Sequence, residues 1–235
     1  MPTILTRLRH DLKAAADPRI KAGAPRFFKE KIKCHGTPTA EGVRIGKAYF
    51  QELTGQSKPE VFALCEELFA TGYNEEAWIA ADWADRMQKD FRPGDFKLLE
   101  RWLATYVDNW AKCDTLCNHA VGSFLEQYPQ HLPRLQRWTK SPNRWLRRGA
   151  AVSLVLPARR GQFLPEALAI SDALLRDPDD LVQKGYGWLL KEASRQHQTE
   201  VFEYVLEHKA VMPRTALRYA IEKLPPELRK QAMQK

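Results

Sequence analysis

The stretch DNWAKCDTLC, residues 108–117, gathers a tryptophan, an aspartate and two cysteines within ten positions. Two kinds of chemistry compete for it with plain packing. Cys113 and Cys117, with His119 just beyond, are soft ligands of the kind zinc takes. A structural zinc site needs four ligands, however, and no second Cys/His pair lies nearby in the sequence. His119 also falls on a different helix face from Cys113, so the reading adopted is no metal, with the thiols reduced in a helix–helix contact. Trp110 and Asp114 suggest the other chemistry. Side chains at i and i+4 of a helix share a face, with Cβ atoms about 6 Å apart. An aromatic face beside a carboxylate suits a reaction that develops positive charge. A cap at Asn109 would put Trp110 in the first turn of that helix.

The charge points to a polyanion. The 235 residues carry a net charge of +8. From Gln127 to Pro165 there is no Asp or Glu, while Arg134, Arg137, Lys140, Arg144, Arg147, Arg148, Arg159 and Arg160 fall in that stretch. Cations without local counter-ions repel one another, so a fold that gathers them favours an anionic partner, nucleic acid first. A solvated basic face is the plainer alternative. No run approaches 18 apolar residues, and the charged N-terminus has no apolar core of a secretory signal. A cytoplasmic protein with reduced cysteines and no membrane association is expected.

The elements that must position these residues read as helices throughout. In AEGVRIGKAYFQEL, Val43, Ile45, Ala48, Tyr49 and Leu53 recur at helical spacing. KPEVFALCEELFATG repeats the pattern with Val61, Phe62, Leu64, Cys65 and Leu68, and Gly72 can end it. No alternation with hairpin turns is present. Helix starts are expected at Asn74, Asn109, Asn143 and Asp179, at intervals of 35, 34 and 36 residues. Helix pairs at such a period predict an all-α fold, an α-solenoid of helical repeats with a concave basic surface, spanning residues 1–235 as one domain. Trp138 and Trp145 read as packing residues. GTPTAEG near Gly36 has only a faint likeness to phosphate loops and reads as a helix cap built on Thr37 and Pro38.

NWAKCD (109–114), PNRWLRRGAA (142–151), GYGWLLKEA (185–193) and, more loosely, RFFKEKIKCHGTPTAEGVR (26–44) resemble the AlkD-type DNA glycosylases, which are built from HEAT-like repeats. The resemblance spans nearly the whole chain. It implies excision of cationic N-alkylated purines, such as 3-methyladenine and 7-methylguanine, from duplex DNA by a monomer without a cofactor. It implies catalytic roles for Asp114, Trp110 and Trp188. It implies that Arg148 holds a phosphate, and that Arg144, Arg147, Phe28, Lys29 and Lys191, in the matching segments, also face DNA. The family's N-terminal aromatic falls at Phe27 or Phe28, where the hydroxyl of the usual Tyr is missing. The family leaves the damaged base stacked, which suits a sequence with no pocket motif and no second carboxylate beside Asp114. A non-catalytic repeat protein that recognises damaged or branched DNA is the alternative, and a protein–protein scaffold the third reading.

Overall fold

The computed structural model describes residues 2–234. They form two compact helical units that divide between Ala120 and Val121. The first holds α1 (Ile4–Ala14), α2 (Pro18–Gly23), α3 (Thr39–Glu52), α4 (Lys58–Ala70), α5 (Asn74–Arg86), α6 (Phe96–Tyr106) and α7 (Trp110–Leu116). The second holds α8 (Gly122–Gln127), α9 (Pro133–Trp138), α10 (Arg144–Val152), α11 (Val155–Arg159), α12 (Leu164–Leu174), α13 (Asp180–Ala193), α14 (Gln198–His208), α15 (Arg214–Ala220) and α16 (Pro226–Met233). No β-strand forms among the described residues; Lys33 and Tyr73 make an isolated bridge.

Alternate helices stack on one another within each unit, the packing of a helical repeat. In the first, α5 lies between α3 and α7, with α4 packed against it and against α6. In the second, α13 lies between α10 and α15, backed by α12 and α14. These row helices begin at Thr39, Asn74, Trp110, Arg144, Asp180 and Arg214, in step with the period read from the sequence. The apolar positions supply the core: Phe69, Trp83, Phe96, Trp102 and Leu116 in the first unit, Phe124, Leu154, Tyr186 and Leu189 in the second. Trp138 and Trp145 are buried, as packing residues should be.

Side-chain caps fix three of the four helix starts expected from the sequence. The Asn109 side chain accepts from the amides of Ala111 and Lys112, Asn143 from Trp145, and Asp179 from Leu181 and Val182. Each satisfies amide donors that the first helical turn leaves open. Asn74 differs from expectation. The cap position belongs to Tyr73, and Asn74 is the first helical residue, its side-chain Oδ1 accepting from Asn109 Nδ2 at 2.8 Å. Gly72, at φ +74°, ends the helix before it, a conformation that glycine adopts without strain. Helical spacing misplaced part of α3: Val43 and Ala48 are exposed, and the buried face is Gly42, Ile45, Gly46 and Tyr49.

Two glycines of α13 meet neighbouring helices at close range. A Cβ on Gly187 would lie 2.8 Å from the Ala216 carbonyl oxygen of α15, and one on Gly185 would lie 3.4 Å from the Arg148 side chain of α10. The GYG sequence is thus a packing motif, with one glycine beside a backbone and the other beside an arginine.

Candidate functional site

Asp114 and Trp110 lie on one face of α7, both half-buried. They line a cleft of about 930 Å³ in the first unit. Its other walls come from α2 and the 3₁₀ turn after it (Ile20, Phe27, Phe28), from α3 (Gly42, Val43, Gly46) and from α5 (Trp78, Ile79, Asp82, Asp85). Gly46 lets α3 pack closely on α5, since a Cβ there would lie 2.9 Å from Ile79 Cγ1, while at Gly42 the nearest atom would be Thr37 Cγ2 at 3.9 Å. Phe28 stacks on Trp110, with ring centroids 5.2 Å apart and planes 17° from parallel. The Trp110 indole donates from Nε1 to the carbonyl oxygen of Phe27 at 3.2 Å. The ring of Phe27 itself is 75% exposed.

A pair of buried glutamates at the start of α5 holds the segment that carries these phenylalanines. Glu75 accepts three backbone bonds, from the amides of His35 (3.0 Å), Gly36 (2.8 Å) and Thr37 (3.2 Å). Glu76 accepts from His35 Nε2 and Arg9 Nε, each at 2.9 Å. Burial pushes the Glu76 carboxyl up, but the bonds from His35 and Arg9 outweigh it and hold the group below its ordinary range. The Lys33 carbonyl accepts from the Asn74 amide at 2.9 Å, and His35 stacks on Tyr73 at 3.9 Å. Gly36, at φ +96°, turns the chain beside Lys21. The cap expected on Thr37 and Pro38 does not form. Thr37 Oγ1 donates to the Leu12 carbonyl at 2.7 Å, and α3 starts after Pro38 with no side-chain cap. The amides of this loop do bind an anion, but the anion is the protein's own Glu75. The sequence signal for this clamp is the two adjacent acids in NEEAW, at a helix N-terminus where they complement the positive end of the dipole.

The remaining candidate residues divide. Cys113 and Cys117 are fully buried, and His119 lies exposed at the cleft. Lys29 is exposed. In the second unit, Trp188 is half-buried on α13. The basic stretch is not without counter-ions. Arg147 pairs with Asp177 (2.6 Å), Arg144 with Asp179 (3.1 Å), Arg159 with Glu192 (3.2 Å) and Arg160 with Glu126 (2.6 Å). The acids come from adjacent repeats, roughly one period away, which a local scan of the sequence does not see. Lys191 pairs with Glu222 at 3.3 Å. Arg148 is 5% exposed and donates to the Leu181 carbonyl, a buried structural bond where an exposed phosphate ligand was expected. Arg137 and Lys140 are exposed. The sequence also missed the cleft and the acids in it: Asp82, Asp85 and Asp17 share it with Asp114. No helix among the described residues is long and apolar enough to cross a membrane.

Stacked helix pairs at a period near 35 residues, with a carboxylate and a tryptophan one turn apart in an aromatic cleft, define a helical-repeat protein with a candidate active site. The family model for the DNA alkylation repair enzyme matches residues 8–224, and the chain belongs to that family. Among solved structures it is similar to a predicted DNA alkylation repair enzyme from Enterococcus faecalis, at 18% identity and a TM-score of 0.79, over 90% of this chain and 97% of that one. It is also similar to the alkylpurine DNA glycosylase AlkC of Pseudomonas fluorescens, solved bound to DNA containing an abasic site analog. That match has 17% identity and a TM-score of 0.54, over 95% of this chain and 65% of the other. At these identities the likeness is one of fold. No curated protein matches the chain.

Proposed function

We propose that the protein is a monofunctional DNA glycosylase that removes cationic N-alkylated purines from duplex DNA, working as a monomer without metal or cofactor. The observation that carries the reading is the joint position of Asp114 and Trp110 in one aromatic cleft of a DNA alkylation repair enzyme. An N3- or N7-alkylated purine already bears positive charge, so its glycosidic bond is weak and its departure needs little acid assistance. As the C1′–N bond lengthens, the pair of electrons leaves with the base and the sugar gains oxocarbenium character. The Asp114 carboxylate and the Trp110 face stabilise that charge. Water adds to C1′ and gives up a proton, with Asp114 orienting it or accepting the proton. The products are the free base and an abasic site. Phe28 stacks on Trp110 in the same cleft, a contact that needs no hydroxyl. Trp188, half-buried on α13 of the second unit, is proposed to offer a π-face to DNA.

Phosphate contact falls in this account to exposed cations such as Arg137, Lys140 and Lys29, with Arg144, Arg147 and Lys191 released from their ion pairs where DNA competes for them. Arg148 acts on DNA through the packing of α10 against α13. The test is single-turnover release of 7-methylguanine from methylated duplex, followed by mass. Asp114→Asn keeps the shape and removes the charge, so excision should fall by about 10²- to 10³-fold, the scale of one preorganised electrostatic group. DNA binding should persist. Excision at the parental rate by a folded Asp114→Asn protein refutes the reading and favours the non-catalytic alternative.

A further inference from the structure

The α7 helix does not continue regularly beyond the residues that carry the site. It passes into a π-helical segment, Cys117–Val121, before α8 begins at Gly122. The segment has a cost, because Asn118 Oδ1 is buried there with no hydrogen-bond partner among the described residues. It also has an effect on direction. In an unbroken α-helix His119, five residues after Asp114, would point about 140° away from it. The i→i+5 bonding of a π-turn takes up an extra residue and swings the following side chains back. His119 accordingly lines the same cleft as Trp110, Asp114 and Thr115, where it is exposed. Short π-segments inside α-helices frequently fall at functional sites.

The neighbours of His119 decide what it can meet. The other charged side chains of the lining are Asp17, Arg19, Glu75, Asp82, Asp85 and Asp114. Arg19 pairs with Asp17 at 2.9 Å, Asp82 pairs with Arg86 at 2.6 Å, and Glu75 is held by backbone amides. Of the two lining side chains that can carry positive charge, Arg19 and His119, only His119 has no partner among the described residues. Thr115 cannot serve in its place, since Oγ1 already donates to the Ala111 carbonyl at 2.8 Å. The glycosylase reading, on which this inference rests, sets the damaged sugar at Asp114. That placement brings the flanking phosphates toward a carboxylate that repels them, and a donor beside the carboxylate offsets the repulsion. Arg148, to which the resemblance gives a phosphate, is buried and donates to the Leu181 carbonyl. We propose that His119 is a further DNA-binding residue, whose imidazole donates to a phosphate next to the damaged nucleotide. The helix rise of about 1.5 Å per residue keeps it within roughly 7.5 Å of Asp114 along the axis, so it meets the backbone of that nucleotide. An imidazole offers one N–H when neutral and two when protonated, so the contact does not depend on one protonation state.

The experiment couples the side chain to a single phosphate. Duplexes carry a stable tetrahydrofuran abasic analogue, with a neutral methylphosphonate replacing the phosphate on its 5′ or its 3′ side. Binding of the whole protein is followed by fluorescence anisotropy, for the parent, His119→Ala and His119→Gln. Neutralising one of the two phosphates should weaken the parent about tenfold, the size of one charge-assisted hydrogen bond. His119→Ala should lose about as much on the unmodified duplex and nothing further on that methylphosphonate, while the other phosphate keeps its effect. His119→Gln retains a donor and should recover part of the loss. The side chain is exposed, so the variants should melt with the parent. Losses that add at both phosphates overturn the inference. So does parental binding by His119→Ala, and slowed excision in that variant would then make the imidazole a proton acceptor for the attacking water. Absent coupling in a protein that releases 7-methylguanine overturns the inference and leaves the glycosylase reading standing. Coupling in a protein that releases no base keeps the phosphate contact and removes that reading.

Discussion

Replacing Glu75 by Gln tests whether the clamp at the start of α5 positions the aromatic segment. The native carboxylate is 3% exposed and accepts three backbone amides between 2.8 and 3.2 Å, on residues that are themselves buried. Hydrogen bonds to a charged group contribute about 1.5–3 kcal/mol each, and three sharing one carboxylate do not add fully. Gln keeps one acceptor oxygen, loses the charge, and turns an NH₂ toward at least one amide. The expected loss is about 3 kcal/mol, and Glu75→Ala, which leaves all three amides unsatisfied, should lose more, about 4–5 kcal/mol. A chain of this length shifts by roughly 2–4 °C per kcal/mol, so Glu75→Gln should melt about 6–12 °C lower. The assay is urea unfolding by far-UV circular dichroism, with the near-UV band reporting the Phe28–Trp110 stack. A Gln variant within about 0.5 kcal/mol of the parent would refute the reasoning, since surface substitutions are that mild. Lost stability with an unchanged near-UV band would show that clamp and stack are independent.

Gly187→Ala places a methyl group 2.8 Å from the Ala216 carbonyl oxygen. A backbone atom cannot yield as a side chain can, so about 1–3 kcal/mol should be lost, while Gly185→Ala, at 3.4 Å from a flexible arginine, should be milder. Equal melting of the two variants would contradict the packing assigned to α13. The Glu76 carboxyl is held below its ordinary value of 4.5, so its bonds stabilise the fold fully above that pH and fade as pH falls below it. The parent should therefore lose urea resistance in that acid window more steeply than Glu76→Gln, and parallel pH profiles would exclude the assignment.

Most of the fold was legible because its signals are local. Asn109, Asn143 and Asp179 cap helices through amides two or three residues away, so a cap residue before an apolar period marks a helix start without tertiary information. The pairing of Trp110 with Asp114 was legible for the same reason, since one helical turn separates them. What was not legible depends on distant segments. Val43 has the spacing of a core residue, but the neighbouring face is the cleft, and it remains exposed. The cleft draws residues from Asp17 to His119, which no window on the sequence brings together. Arg144 and Arg147 stand in an acid-free stretch, yet Asp179 and Asp177 in the next repeat neutralise them. Arg148 was given to phosphate by motif, and its burial follows from the space left by Gly185.

The polar links between successive repeats are not spread evenly along the helices. In the first unit Asn109 bonds Asn74, Lys112 donates to the Gly72 carbonyl, and Glu75 holds the loop before α3, all at the N-terminal ends of row helices. In the second, Arg144, Arg147 and Arg148 reach Asp179, Asp177 and the Leu181 carbonyl, again at such ends. Near the C-terminal ends the links are ion pairs more open to water, such as Arg160–Glu126 and Lys191–Glu222. Ion pairs of that kind contribute little and weaken with salt. The second unit is therefore bound like a book, with a stitched spine along the helix starts and looser fore-edges opposite. Pages in such a binding fan by pivoting about the spine. The residues nearest the stitching, Arg148 among them, would move least when the repeats of that unit flex.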